Sequence, residues 1–213
     1  GAEIVVNISA SPWRAGVIGT KREMLPTRSA DNACVLVYVN RSGAQDALVF
    51  DGGNFVYQNG RKVLESPRWE ENLFDVAVDL DTVVRARREN TTWRTDANEY
   101  HINPVRVRPI YSVVSSPQPK TLDITPSLVN MFIPQDEYVS PRAEYFEDLL
   151  SAMRTGLAGY VRKTAGSGKV GIALSGGKDS ALCAIIAWLW AKEEAKRLNV
   201  DNPEGFIKSA VHC

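Results

Sequence analysis

Ser175-Gly176-Gly177-Lys178-Asp179-Ser180 follows an apolar run, Val170 to Leu174, and opens a stretch in which Leu182, Ile185, Ile186, Leu189 and Trp190 recur at helical spacing. That order predicts a strand, a glycine turn and a helix start. Two adjacent glycines let the backbone turn sharply and approach an anion closely, and the N–H groups at the helix start are free to receive phosphate oxygens. Pyrophosphate is the natural ligand for such a loop. The blander alternative is a strand-to-helix turn in which glycine relieves strain and Asp179 and Ser180 cap the helix. Spacing excludes a Walker A loop, which needs Gly, four residues, then Gly-Lys-Ser/Thr. Five positions before Gly177 stands Ile172, and Asp179 occupies the Ser/Thr place.

The loop resembles the SGGxDS signature of the ATP pyrophosphatases, which cleave ATP to AMP and pyrophosphate. The resemblance implies that the loop amides, with Ser175 and Ser180, hold the pyrophosphate. It also implies that Asp179, a hard oxygen ligand beside phosphates, holds magnesium (Mg2+). Lys178 is not fixed by the signature and either contacts phosphate or points to solvent. The helix after the loop is expected to be buried and to dock its N-terminus on the ligand. Its dipole contributes about 0.3–1 kcal/mol there, so direct hydrogen bonds must supply much of the specificity.

Composition narrows the setting. The chain has 213 residues, is 44% hydrophobic and balances 25 basic against 25 acidic side chains, which suits one large or two modest soluble domains. No basic field advertises nucleic acid. No apolar run approaches the ~20 residues of a membrane span, and the N-terminus lacks the basic start of a signal peptide, so the cytoplasm is the expected compartment. Cys34, Cys183 and Cys213 are widely spaced in apolar surroundings, which predicts buried thiols rather than disulfides. With two histidines, His101 and His212, a zinc site is not expected. The chain opens in a strand-like run without methionine and stops in another strand-like run, Ala210 to Cys213, which is expected of a piece of something longer.

Up to Asp81 the pattern is strand-rich: Ile4 to Ile8, Cys34 to Asn40, Leu48 to Phe50, Phe55 to Gln58 and Phe74 to Asp81. Asn59-Gly60 is a hairpin signal. Lys21 to Ala33 predicts a helix, with Pro26 near its start or at a kink. Thr82 to Asn98 is expected to be helical in its first half. Seven prolines between Pro104 and Pro141 break up any long element, yet Leu122, Ile124, Leu128, Met131, Phe132 and Ile133 predict a connector packed on a domain surface. Arg142 to Lys163 predicts an amphipathic helix with Tyr145, Leu149, Leu150, Met153, Leu157 and Tyr160 on one face.

The first region resembles the C-terminal half of a nitrilase-type amidase domain, in Asn7-Ile8-Ser9-Ala10-Ser11-Pro12, Arg28 to Asn32, Tyr38-Val39-Asn40 and Gln45 to Gly53. A nitrilase half followed by SGGxDS resembles the glutamine-dependent NAD+ synthetases, nearly end to end. The implied fold is α/β. Residues 1–103 are then the second half of a nitrilase-like α-β-β-α sandwich and 104–141 a packed connector. Residues 142–213 begin a Rossmann-like parallel sheet with flanking helices. The implied activity is a two-site one, in which glutamine yields ammonia and ATP adenylates the nicotinate carboxylate of deamido-NAD+. Ammonia then displaces AMP to form the amide. The family's glutaminase Glu, Lys and Cys are expected upstream of Gly1, so no catalytic residue of that half is expected in this chain, and the isolated chain is expected to be inactive and poorly soluble. Cys34 is a packing thiol, not the nucleophile. Ser11 matches a family serine that contacts glutamine, with turn capping as its alternative. The family's basic residue soon after Gly16 is replaced by Val17, leaving Lys21 or Arg22 as substitutes. The family also implies a homo-oligomer. GMP and asparagine synthetases pair ammonia release with the same loop but lack nitrilase-like glutaminases, and a non-catalytic fragment is a further alternative.

Overall fold

Cys34-Val35-Leu36-Val37-Tyr38 alternates its side chains between two directions, as a strand buried on both faces requires. The computed structural model describes residues 2–71, 73–102, 140–164 and 168–213. In chain order its elements are β1 (Ile4–Ser9), α1 (Val17–Asp31), β2 (Val35–Asn40), β3 (Ser42–Gln45), β4 (Leu48–Asp51), β5 (Asn54–Gln58) and β6 (Arg61–Glu65). They continue as α2 (Leu80–Glu89), α3 (Thr91–Ile102), α4 (Pro141–Thr164), β7 (Val170–Gly171), α5 (Lys178–Arg197), α6 (Pro203–Ala210) and β8 (Val211–His212). The arrangement is mixed α/β. The main sheet runs β1-β2-β5-β6, with β1 parallel to β2 and the other pairs antiparallel.

The alternation places Leu36 and Tyr38 with Phe55 and Tyr57 on one face, under Ile18 and Leu25 of α1. On the other face Val35 and Val56 meet Val83 of α2, with Val76 and Val78 packed alongside. β1 is less covered: Val6 is 58% and Ile8 84% exposed. The Asn59-Gly60 hairpin forms as expected, with φ of 49° and 82°, the positive pair a type I′ turn requires.

Several expectations are corrected. Phe74 to Asp81 joins no ladder, although Val76 and Val78 keep the buried alternation. The Asp79 carboxylate accepts the Thr82 N–H at 3.2 Å, capping α2 and turning the chain into a helix. Helix then fills both halves of Thr82 to Asn98, broken only at Asn90, whose side chain accepts the Trp93 N–H. α1 begins four residues earlier than expected, and Pro26 lies inside it. The strand β3, pairing with β4 around Asp46, was not anticipated.

The helix α4 matches its expected span but only part of its expected face: Leu149, Leu150 and Leu157 are half-buried, Leu157 against the Val161–Trp190 cluster. Tyr145, Met153 and Tyr160 are exposed, while Asp148, Ala152 and Val161 are buried. The cause is close approach: α4 lies on the β3–β4 hairpin through glycines, and a Cβ on Gly159 would stand 2.7 Å from that of Ala44. Small residues face the hairpin, while Tyr145, Met153 and Tyr160 turn away.

β7 and β8 pair in parallel, joined by the α5–α6 crossover, though β7 is shorter than the apolar run that predicted it. The helix α5 is buried only toward its C-terminal half, where Trp190 and Ala191 meet Val161 and Ala210. Leu182 and Ile185, expected inside, are exposed. Cys34 is buried as expected, and burial pushes its thiol up despite Arg87, so it is a poor nucleophile. Cys183 and Cys213 are exposed, contrary to expectation. The connector expected at 104–141 lies, up to residue 139, outside the described residues.

Candidate functional site

Gly176 adopts φ +79°, a conformation that glycine takes without strain, and Gly177 is extended as the N-cap of α5. The turn is tied by its own serines. The Ser180 hydroxyl accepts the Ser175 N–H at 3.3 Å, donates to the Gly177 carbonyl at 3.0 Å and lies 3.1 Å from the Ser175 hydroxyl. The Gly177 N–H reaches back to Ser175 Oγ at 3.4 Å. The capping expected as the blander alternative is not what the serines do: α5 receives no side-chain cap hydrogen bond, and Ser180 ties the turn ahead of the helix instead. Lys178 and Asp179 are exposed in the first turn, where backbone amides lack intrahelical partners. A carboxylate there, beside amides open to phosphate, fits a small hard cation that shares its shell with phosphate oxygens. Among the described residues no three His, Cys, Asp or Glu side chains converge on a metal.

Ser11 lies just beyond the end of β1, far from the loop in sequence. Its N–H donates to Asn40 Oδ1 at 2.8 Å and its carbonyl accepts from Asn40 Nδ2 at 3.1 Å. Its hydroxyl makes no hydrogen bond among the described residues, so it caps no turn there.

Sequence reasoning did not find the buried ionic network behind Ser11. Lys21, 4% exposed, grips both oxygens of the fully buried Asp51 at 2.8 and 3.0 Å. Asn40 Nδ2 donates to the same carboxylate at 3.0 Å, and Arg68 Nη1 stands 3.6 Å from it. Arg68 then makes a two-pronged bridge to Asp148 of α4, at 2.7 and 2.9 Å, where Trp69 Nε1 also donates at 3.0 Å. Of the two basic residues left open by the sequence, Lys21 is the internal one. Arg22 is surface-borne, bridging Glu65 and Glu144.

A second ion cluster fastens α4 to α5. Glu194 is buried, and burial opposes its ionisation. Hydrogen bonds from Arg197 and Arg162 outweigh that and hold its carboxyl well down, at about 2 against the usual 4.5. A depressed carboxylate stabilises the fold above its unfolded pKa, and that stabilisation is lost as pH falls through the folded value. Acid unfolding followed by circular dichroism is expected to show a slope between pH 4.5 and about 2. Glu194→Gln is expected to flatten it, by at most about 3 kcal/mol and by less insofar as both arginines are half-exposed. An unchanged slope would show that the cluster contributes nothing.

Between these clusters lies an apolar space of about 640 Å³, walled by Trp13 and Val49 on one side and by Gly156, Leu157, Cys183 and Ile186 on the other. Trp13 packs edge-on to Trp69 with ring centres 5.7 Å apart, and its indole N–H finds no partner among the described residues.

No protein-family model matches the chain. A glutamine-dependent NAD(+) synthetase from Aquifex aeolicus is 33% identical over 192 residues, which are 88% of this chain and 30% of that protein. One from Thermotoga maritima is 32% identical over 213 residues, all of this chain and 33% of the relative. Among solved structures, a glutamine-dependent NAD(+) synthetase from Cytophaga hutchinsonii aligns over 98% of this chain and 26% of its own, at 20% identity and a TM-score of 0.56. One from Acinetobacter baumannii, in complex with adenosine diphosphate, aligns over 86% of this chain and 26% of its own, at 24% identity and a TM-score of 0.54. These two share the fold. The chain is a relative of the glutamine-dependent NAD(+) synthetases and spans about a third of the length of the relatives it matches.

Proposed function

We propose that this chain is the stretch of a glutamine-dependent NAD(+) synthetase in which a glutamine amidohydrolase domain meets an ATP pyrophosphatase domain. Residues 1–103 are the C-terminal half of the nitrilase-like domain, 104–141 the connector and 142–213 the first part of the synthetase domain. The whole protein amidates deamido-NAD+ to NAD+ through an acyl-adenylate, releasing AMP and pyrophosphate, with ammonia drawn from glutamine. The observation that carries this reading is the serine-tied glycine turn at the head of α5, in a chain whose relatives have this name.

The chemistry follows from the geometry. Adenylation leaves pyrophosphate, whose developing charge needs fixed donors. Ser175 and Ser180 fix the shape of the turn before ligand arrives, so the first-turn amides need not reorganise on binding. Gly176 and Gly177 keep side chains out of the phosphate path. Asp179 would hold magnesium, which when bound neutralises phosphate charge. Ser11 offers its unpartnered hydroxyl to glutamine. The apolar space beside Cys183, walled by residues of both halves, is where neutral ammonia would cross between them. The glutaminase Glu, Lys and Cys belong to another part of the protein, so the 213 residues alone carry out neither reaction. A cytoplasmic homo-oligomer without nucleic-acid or membrane partners is the setting this reading implies.

The test is NAD+ formation by the native-length protein from deamido-NAD+ and magnesium-ATP, with glutamine and ammonium compared. Synthesis with both, releasing AMP and pyrophosphate, is expected. No synthesis from either nitrogen source would overturn the assignment.

A further inference from the structure

Ser11 is held by a side chain that is itself held from behind. Asn40 uses its amide oxygen on the Ser11 N–H and its amide nitrogen on the Ser11 carbonyl, at 2.8 and 3.1 Å. The same nitrogen donates to Asp51 at 3.0 Å, and Asp51 is clamped by Lys21. Asn40, Asp51 and Lys21 are all buried, so their geometry is not loosened by water. A side-chain amide flipped end for end would turn both contacts with Ser11 into clashes of like groups. The contact with Asp51 forbids that flip, because a carboxylate only accepts. Both backbone groups of Ser11 are therefore consumed while its hydroxyl is left over.

We infer that Asn40 is a positioning residue for glutamine binding, oriented by the buried Lys21–Asp51 pair so that it fixes the Ser11 backbone and presents the Ser11 hydroxyl to the substrate. This rests on the reading of Ser11 as a glutamine contact. The two are separable, since Asn40 acts through Ser11 and not on substrate.

The experiment uses the native-length protein and compares Ser11→Ala, Asn40→Ala, Asn40→Gln and the double variant Ser11→Ala/Asn40→Ala. The readouts are the KM for glutamine and the ratio of ammonium-driven to glutamine-driven synthesis. Asn40→Gln keeps the amide but displaces it by one methylene, so it stays polar where Asn40→Ala leaves Asp51 short of a donor. Each single variant is expected to raise the glutamine KM and the ratio by about tenfold, the scale of one lost hydrogen bond to a ligand. The double variant should be no worse than the worse single one. A merely structural asparagine would depress both nitrogen sources together and leave the ratio unmoved, which overturns the inference. If Ser11→Ala raises KM and the Asn40 variants do not, the inference alone falls. If Ser11→Ala changes nothing, the glutamine-contact reading falls and takes the inference with it.

Discussion

Asp179→Ala in the native-length protein is expected to abolish formation of AMP and pyrophosphate while glutamine hydrolysis stays measurable. The carboxylate stands in the first turn of α5 and is exposed, with Gly176 and Gly177 just before it. In the proposed reaction it is the hard oxygen ligand next to the leaving pyrophosphate, and removing such electrostatic support costs at least about a hundredfold in rate. Its structural cost is small by comparison. An acidic residue at a helix N-terminus contributes about 0.3–1 kcal/mol through the helix dipole, so the variant should fold. Loss of adenylation in a protein that melts normally would therefore be a chemical effect. Unchanged adenylation would sink the magnesium role of Asp179 and leave the loop to its amides and serines.

Lys21→Met is expected to destabilise the fold by about 3 kcal/mol, toward the lower end of the cost of stranding a buried charge. Asp51 is fully buried and Lys21 meets both of its oxygens. After the substitution Asp51 keeps the Asn40 amide at 3.0 Å and the Arg68 guanidinium at 3.6 Å, which moderates the loss. The double variant Lys21→Met/Asp51→Leu removes the charge along with its partner and is expected to recover much of the loss. Urea titrations of both variants measure this difference. A single-variant loss below about 1 kcal/mol would mean that Asn40 and Arg68 together can satisfy Asp51.

What was legible in the sequence was local. The glycine turn, the Asn59-Gly60 hairpin and the alternation of β2 each depend on neighbours within a few residues, and each is present. The relatives named above agree with the resemblance drawn from the loop and the Asn7 to Pro12 stretch. What was not legible depends on distance. Lys21 and Asp51 are thirty positions apart, and Arg68 meets Asp148 eighty positions on, so no spacing rule joins them. The aromatic part of the face expected for α4 lies outside for a related reason. Its aromatic residues made the stronger hydrophobic signal, but the hairpin took the small residues because Ala44 and Gly159 allow two backbones to come close. Cys183 was expected inside because its neighbours in the chain are apolar, and periodicity does not reveal that α4 and α6 cover only part of α5.

The seat of α4 on the hairpin has a mechanical consequence. The helix is pinched at Gly159 against Ala44, gripped at Asp148 by Arg68 and Trp69, and gripped at Arg162 by Glu194. A stiff rod pinned so is a lever with unequal arms. At 1.5 Å of rise per residue, the arm from the pinch to Asp148 is about 16 Å and the arm to Arg162 about 4.5 Å. A tilt about Gly159 would thus swing Asp148 some three to four times as far as it moves α5. A shift of α5 at Glu194, the end remote from the glycine turn, would therefore arrive enlarged at Arg68, which abuts the carboxylate that orients Asn40.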